Sequence, residues 1–216
     1  MKKNILISLL LLITTVVTAQ EFYLETGKTS STFKYENSQG QSLDNLQSVN
    51  KSFMAVGYQN VFFSEKLNWS IGANYTGYGA IGSLNTYDTY LEWDANYLEF
   101  DFGLKFRLFK IKKASIYIKG NASAGFIMQG YQTINNITNN LKNIDDFSNT
   151  LLNFKGGAGL SHPISRNLSF FIQYMYGKSS DIDRGNAESL NIKNSNFSFG
   201  LLINLSQKLA NAQEIK

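Results

Sequence analysis

The sequence contains no cysteine, one histidine (His162) and one proline (Pro163). Without cysteine there can be no disulfide scaffold, no thiol nucleophile and no Cys-based zinc site. A single histidine excludes a multi-His metal centre and a His-rich active site. Charged residues are scarce too, at 17% of the chain against about 25% in an average globular protein. No Gly-x-Ser-x-Gly elbow and no Walker-type phosphate loop is present. Downstream of its first twenty residues the chain carries no sustained 3.6-residue apolar stripe, which argues against a helical core. What it has in quantity is aromatic side chains, 16 Phe, 12 Tyr and 2 Trp, together with 17 Gly. Its 216 residues suit one domain.

Residues 1–19 read as a secretory signal peptide. Lys2 and Lys3 form a positive start, Ile5 to Val17 an apolar stretch, and Val17-Thr18-Ala19 a small-residue cleavage site. The apolar stretch is too short to span a bilayer as a helix. No cysteine follows the cut, so a lipid anchor is not expected. Lys2 and Lys3 leave with the signal, so the mature chain is close to neutral and its basic pI does not argue for nucleic acid.

The mature chain alternates with period 2, the mark of strands with unlike faces. Leu98, Phe100, Phe102, Leu104, Phe106 and Leu108 fall on one face; Glu99, Asp101, Gly103, Lys105 and Arg107 fall on the other. Similar alternation runs over Trp69–Tyr75, Ile116–Met128, Leu152–Leu160, Leu168–Tyr176 and Phe197–Leu205. Two less regular strands lie near Phe22–Tyr35 and Ser52–Phe63. The eight predicted strands are joined by links that alternate long and short. The long ones are 36–50, 79–90, 131–149 and 178–193; the short ones are 64–66, 109–113 and 163–167. That is the order of an up-and-down barrel with one elaborated rim.

An all-β, eight-stranded antiparallel up-and-down transmembrane β-barrel is therefore expected over residues 20–207, with a short C-terminal periplasmic tail over 208–216. A soluble periplasmic lipocalin-like barrel binding an apolar ligand is the alternative, because alternation alone does not say which face points out. Size decides. An eight-stranded lumen is only wide enough to be filled by side chains, and the apolar face holds too many large residues to fit it. The glycine-, serine- and asparagine-rich face belongs inside. Leu98, Phe100, Phe102, Leu104, Phe106, Phe199, Leu201 and Ile203 are then lipid-facing. Trp69, Tyr75, Tyr78, Tyr90, Trp93, Tyr97, Tyr131, Tyr174 and Tyr176 lie near strand ends and are assigned to interfacial girdles.

Glu99, Asp101, Lys105, Arg107, Lys119 and Lys155 then point into the lumen, where they are expected to pair as a charge network that plugs it. A lipid-hydrolysing barrel would carry a His-x-Ser pair. Here the order is His162-Pro163-Ile164-Ser165, one residue too long, and Ser161 would point to the opposite face. No enzyme activity, catalytic residue, cofactor or metal site is assigned. Asp181 and Asp183 in a long link are too few ligands for a calcium loop. The long links are acidic on balance and the short turns basic, through Lys66, Lys110, Lys112, Lys113 and Arg166.

Tyr97-Leu98-Glu99-Phe100, the glycine-rich Gly156-Gly157-Ala158-Gly159-Leu160 and Tyr174-Met-Tyr-Gly177 followed by Asp181-Ile-Asp183 resemble the outer-membrane β-barrel domain family of Bacteroidota often called PorT-like. The resemblance spans nearly the whole mature chain. It implies residence in a Gram-negative outer membrane and contact with outer-membrane lipid or lipopolysaccharide. It also implies a structural, adhesion or interaction role, or one in envelope assembly or secretion, with proteins of the envelope or secretion machinery as partners and no nucleic acid. It brings no catalytic residues. The sequence departs from many outer-membrane proteins in continuing past Leu205 instead of ending on an aromatic residue.

Overall fold

The computed structural model describes residues 21–36, 46–84, 89–143, 150–181 and 189–205. The expected signal peptide and C-terminal tail lie outside these residues, as does most of the Asp181–Asp183 segment. Among the described residues nine strands form one antiparallel sheet: β1 (Glu21–Glu36), β2 (Gln47–Ser64), β3 (Leu67–Leu84), β4 (Thr89–Ile111), β5 (Ala114–Ile134), β6 (Ile137–Asn140), β7 (Leu151–Pro163), β8 (Leu168–Asp181) and β9 (Ser189–Asn204). β1 pairs with both β2 and β9, and β4 with β5, so the sheet closes. β6 pairs only with β5 and stands outside the ring of eight. Closure leaves the ring of eight with no unpaired edge, which a chain in lipid requires.

The ring is staggered. Paired residues followed once around from Tyr23 pass through Gly57, Gly72, Asp101, Ser123, Asn153, Ser179 and Ile192 and return to Phe33, farther along β1. That offset is the shear of a closed barrel, whose strands typically tilt by about 35–45°. The tight turns 65–66, 112–113 and 164–167 gather at one end with the start of β1 and the end of β9. The strand ends that lead into the longer connections, together with β6, gather at the other.

The wall has an apolar outer belt. Met54, Ile71, Phe100, Phe102, Leu104, Phe106, Ile118, Phe126, Phe154 and Phe199 are exposed on it. Leu98, Leu201 and Ile203 lie on the same outer face, partly covered by neighbours. Phe102 is 51% exposed. A soluble barrel has the opposite facing, with large apolar chains inside.

The strands run beyond this belt, and here the expected link lengths change. The link drawn over 79–90 shrinks to 85–88, because β3 continues to Leu84 and β4 begins at Thr89. In β4 the odd-numbered residues remain inward from Leu91 to Arg107, but the two faces exchange character. Below Tyr97 the inward residues are Glu99, Asp101, Lys105 and Arg107; above it they are Leu91, Trp93, Ala95 and Tyr97, while Glu92, Asp94 and Asn96 turn outward. Beyond the apolar belt the barrel thus has the polarity of a water-soluble one. Tyr78, Trp93 and Tyr97 are therefore not girdle residues: they are buried in the lumen. Tyr75, Tyr90, Tyr131, Tyr174 and Tyr176 are exposed, and Trp69 lies against Tyr58 with ring centres 5.7 Å apart.

The connection drawn over 131–149 also carries structure. β5 extends to Ile134 and turns through Asn135 and Asn136 (φ 47° and 69°) into β6. Two consecutive residues of positive φ make the primed two-residue turn that matches strand twist, and asparagine tolerates that region best after glycine. A single 3₁₀ turn, Leu141–Asn143, follows.

Candidate functional site

The lumen is filled in tiers. At the loop end, Phe33, Tyr78, Leu91, Trp93, Tyr97, Leu141, Leu151 and Ile192 form an apolar plug, with Leu46, Ile127 and Ile134 against its edge. Phe33 meets Trp93 edge to face at 6.2 Å, and Tyr78 meets Tyr97 at 5.8 Å. Leu141 is carried in by the turn after β6 and is 0% exposed.

Below the plug lies a polar layer centred on Glu99, also 0% exposed. Its carboxylate accepts hydrogen bonds from Tyr78 Oη, from Ser123 Oγ at 3.2 Å and from Lys155 Nζ at 3.2 Å. The Lys155 side chain is itself 7% exposed, so the pair is buried on both sides. Asn153 Nδ2 donates to Tyr78 Oη at 2.9 Å and ties the layer to the plug. The charges are compensated by hydrogen bonds as well as by each other, the condition under which a buried pair is tolerated.

A second carboxylate occupies the same layer. Glu25 accepts from Gln173 Nε2 at 2.6 Å and from Ser198 Oγ, and Tyr117 Oη donates to Gln173 Oε1 at 3.1 Å. Sequence analysis did not single out Glu25, because the alternation of β1 is ambiguous. Its inward set, Tyr23, Glu25, Thr29, Ser31 and Phe33, mixes characters, and the outward set above Thr26 is polar too. Asp101 accepts from Asn121 Nδ2 at 3.2 Å through one oxygen. Its Oδ1, with Asn121 Oδ1 and Asn196 Oδ1, has no protein partner. All three residues line a chamber of about 20 Å³ shared with Lys119 and Lys155, room for one water molecule. Lys119 Nζ stands 5.4 Å from the centre of the Tyr23 ring and Lys155 Nζ 5.8 Å from that of Phe53. The Tyr23 ring in turn requires bare backbone opposite it, since a Cβ at Gly57 or Gly72 would collide with it.

Tyr23, Phe53, Ala55, Phe171 and Leu202 form a second apolar cluster that reaches from this chamber to the turn end. There Lys105 and Arg107 stand apart from the Glu99 layer. Lys105 Nζ donates to Gln59 Oε1 at 2.8 Å, and Gln59 Nε2 donates to Glu21. Arg107 has a loose contact of 3.9 Å with Glu65, which is 93% exposed. The six inward charges read from the sequence thus divide. Glu99, Asp101, Lys119 and Lys155 sit in the middle; Lys105 and Arg107 sit in the mouth.

Beyond the belt at the loop end, Lys51 Nζ and Asp94 form an ion pair at 2.6 Å that the sequence did not indicate. Tyr90 Oη donates to Glu92 at 3.1 Å, and that carboxylate holds the Tyr90 proton above its ordinary pKa. His162 is exposed near the end of β7, opposite Phe170. Among the described residues no group of three or more His, Cys, Asp or Glu is placed to hold a metal ion.

A family model described as "Outer membrane protein beta-barrel domain" matches residues 5–204. Comparison with curated proteins gives no sequence match. Among solved structures, Neisserial surface protein A is similar at 11% identity and a TM-score of 0.48, over 84% of this chain and 96% of that one. Ail, the attachment invasion locus protein of Yersinia pestis, is similar at 14% identity and a TM-score of 0.42, over 86% and 100%. The N-terminal β-barrel domain of Pseudomonas aeruginosa OprF is similar at 8% identity and a TM-score of 0.41, over 87% and 100%.

Proposed function

Because the chain belongs to the outer membrane β-barrel domain family and is an outer-membrane protein, we propose that it is a closed, non-catalytic barrel that serves the envelope through its two ends. The observation that carries the reading is the stacking of an apolar plug on a buried, hydrogen-bonded Glu99–Lys155 pair. An ion crossing it would have to displace Tyr78, Trp93 and Tyr97 and then break that pair. On this reading the loop end faces outside and contacts other molecules or lipopolysaccharide, and the turn end faces the periplasm and envelope or secretion-machinery proteins. The segments Tyr97–Phe100 and Gly156–Leu160 support a place among the PorT-like members of the family.

The test is conductance in a planar lipid bilayer. The native protein is expected to give no discrete steps, whereas Tyr78→Ala and Trp93→Ala combined with Lys155→Ala, which thins the plug and removes the pair beneath it, gives them. Discrete steps from the native protein would overturn the closed-barrel reading.

A further inference from the structure

We propose that the barrel mouth at the turn end is a binding site for a phosphate group. It is a cup of about 400 Å³ to which each of the eight wall strands, or a turn beside it, contributes. Its walls bring in Lys105, Arg107, Lys110 and Lys113 against two carboxylates, Glu21 and Glu65.

Both carboxylates leave positive charge unanswered. Glu21 is engaged by Gln59, and Glu65 lies in solvent 3.9 Å from Arg107. Lys105 and Arg107 stand two places apart on the same inward face of β4, with Lys110 and Lys113 beside them in the cup. Like charges gathered in one mouth repel, and an anion in the cup lowers that repulsion. Arg107 keeps most of its planar set of N–H donors uncommitted, the geometry that suits two oxygens of one phosphate. Ser115, Ser161 and Ser169 add hydroxyls around the cup. The cup is large enough for a phosphate and a small substituent and too small for a folded partner.

The ligand chemistry is a phosphate monoester or diester, and it has two sources, a soluble phosphate or the headgroup of an anionic phospholipid. The full barrel, folded in maltoside micelles, is titrated calorimetrically with inorganic phosphate and, separately, with short-chain phosphatidylglycerol, short-chain phosphatidylcholine serving as the neutral control. Saturable binding of one phosphate probe per barrel is expected. Arg107→Gln with Lys113→Gln should weaken it about tenfold or more, as loss of two charge-assisted contacts implies. Lys113→Gln alone, in an exposed turn, leaves the wall intact and should weaken it by a smaller factor. Lys34→Gln, exposed on the outer face of β1, should change nothing. Binding of inorganic phosphate identifies the soluble source; binding of phosphatidylglycerol without inorganic phosphate identifies the lipid. The proposal fails if neither probe saturates, if phosphatidylglycerol alone saturates and phosphatidylcholine matches it, or if both cup variants bind as the native protein does.

Discussion

Individual residues in this barrel owe their behaviour to depth and facing more than to type. Glu99 and Glu92 lie in one strand, yet one is sealed in the lumen beneath Tyr78 and the other lies on the outer face beside Tyr90. Glu99→Ala strips Lys155 of its carboxylate while leaving the ammonium buried. The loss should be about 3–5 kcal/mol, because an uncompensated buried charge remains. Glu99→Gln with Lys155→Met removes both charges at similar volume and should recover most of it. Urea unfolding in lipid vesicles separates the two cases; equal losses would mean that the stranded Lys155 charge is not what costs the stability. On the outer face, Phe102→Lys places a cation in the middle of the apolar belt, at a cost of about 2–4 kcal/mol. The same assay should show no such loss for Lys34→Gln.

At the scale of elements, the sequence was most legible where one face met lipid and the other a polar lumen. The alternation from Leu98 to Leu108 carries the strand, its facing and four of the six inward charges, and β4 contains that whole stretch. It was least legible beyond the belt. There the chain must satisfy water outside and packing inside, so Leu91, Trp93, Ala95 and Tyr97 alternate with Glu92, Asp94 and Asn96 in the opposite sense. A reader following outward apolar residues loses the strand at the point where the sense reverses. The girdle assignment of Tyr78, Trp93 and Tyr97 failed for the same reason: the residues sit near the end of the belt but on its inner side. β6 escaped notice because its two-asparagine turn carries no glycine. That turn makes its own prediction. Asn136 has a φ of 69°, so Asn136→Gly should be neutral or slightly stabilising. Asn136→Val should cost about 1–2 kcal/mol, because a β-branched residue is strained there. Retention of Leu141 in the plug can be followed in the same variants by quenching of Trp93 fluorescence. Added quencher should reach the indole in Asn136→Val more readily than in Asn136→Gly.

At the scale of the molecule, the two ends of the barrel are built for different surroundings. The loop end is a small soluble barrel closed around aromatic side chains, whereas the turn end is an open basic cup bounded by tight turns. Such asymmetry has a purpose only if each end stays on its own side of the membrane, and outer-membrane barrels keep short turns in the periplasm and longer loops outside. The absence of cysteine makes this directly measurable on the purified chain after labelling, since an introduced thiol is then its sole thiol. Ile137→Cys, exposed on β6 at the loop end, and Lys112→Cys, in the tight turn between β4 and β5, lie at opposite ends of the wall. Neither position contributes to the lumen network or the plug. A membrane-impermeant maleimide applied to intact cells should label Ile137→Cys and leave Lys112→Cys untouched until the outer membrane is opened. The reverse pattern would put the basic cup outside, where a phosphate ligand would come from lipopolysaccharide or medium and not from the periplasmic leaflet. Equal labelling of both in intact cells would mean that the barrel does not sit across the membrane with a fixed direction, and the division of labour between its ends would fall with it.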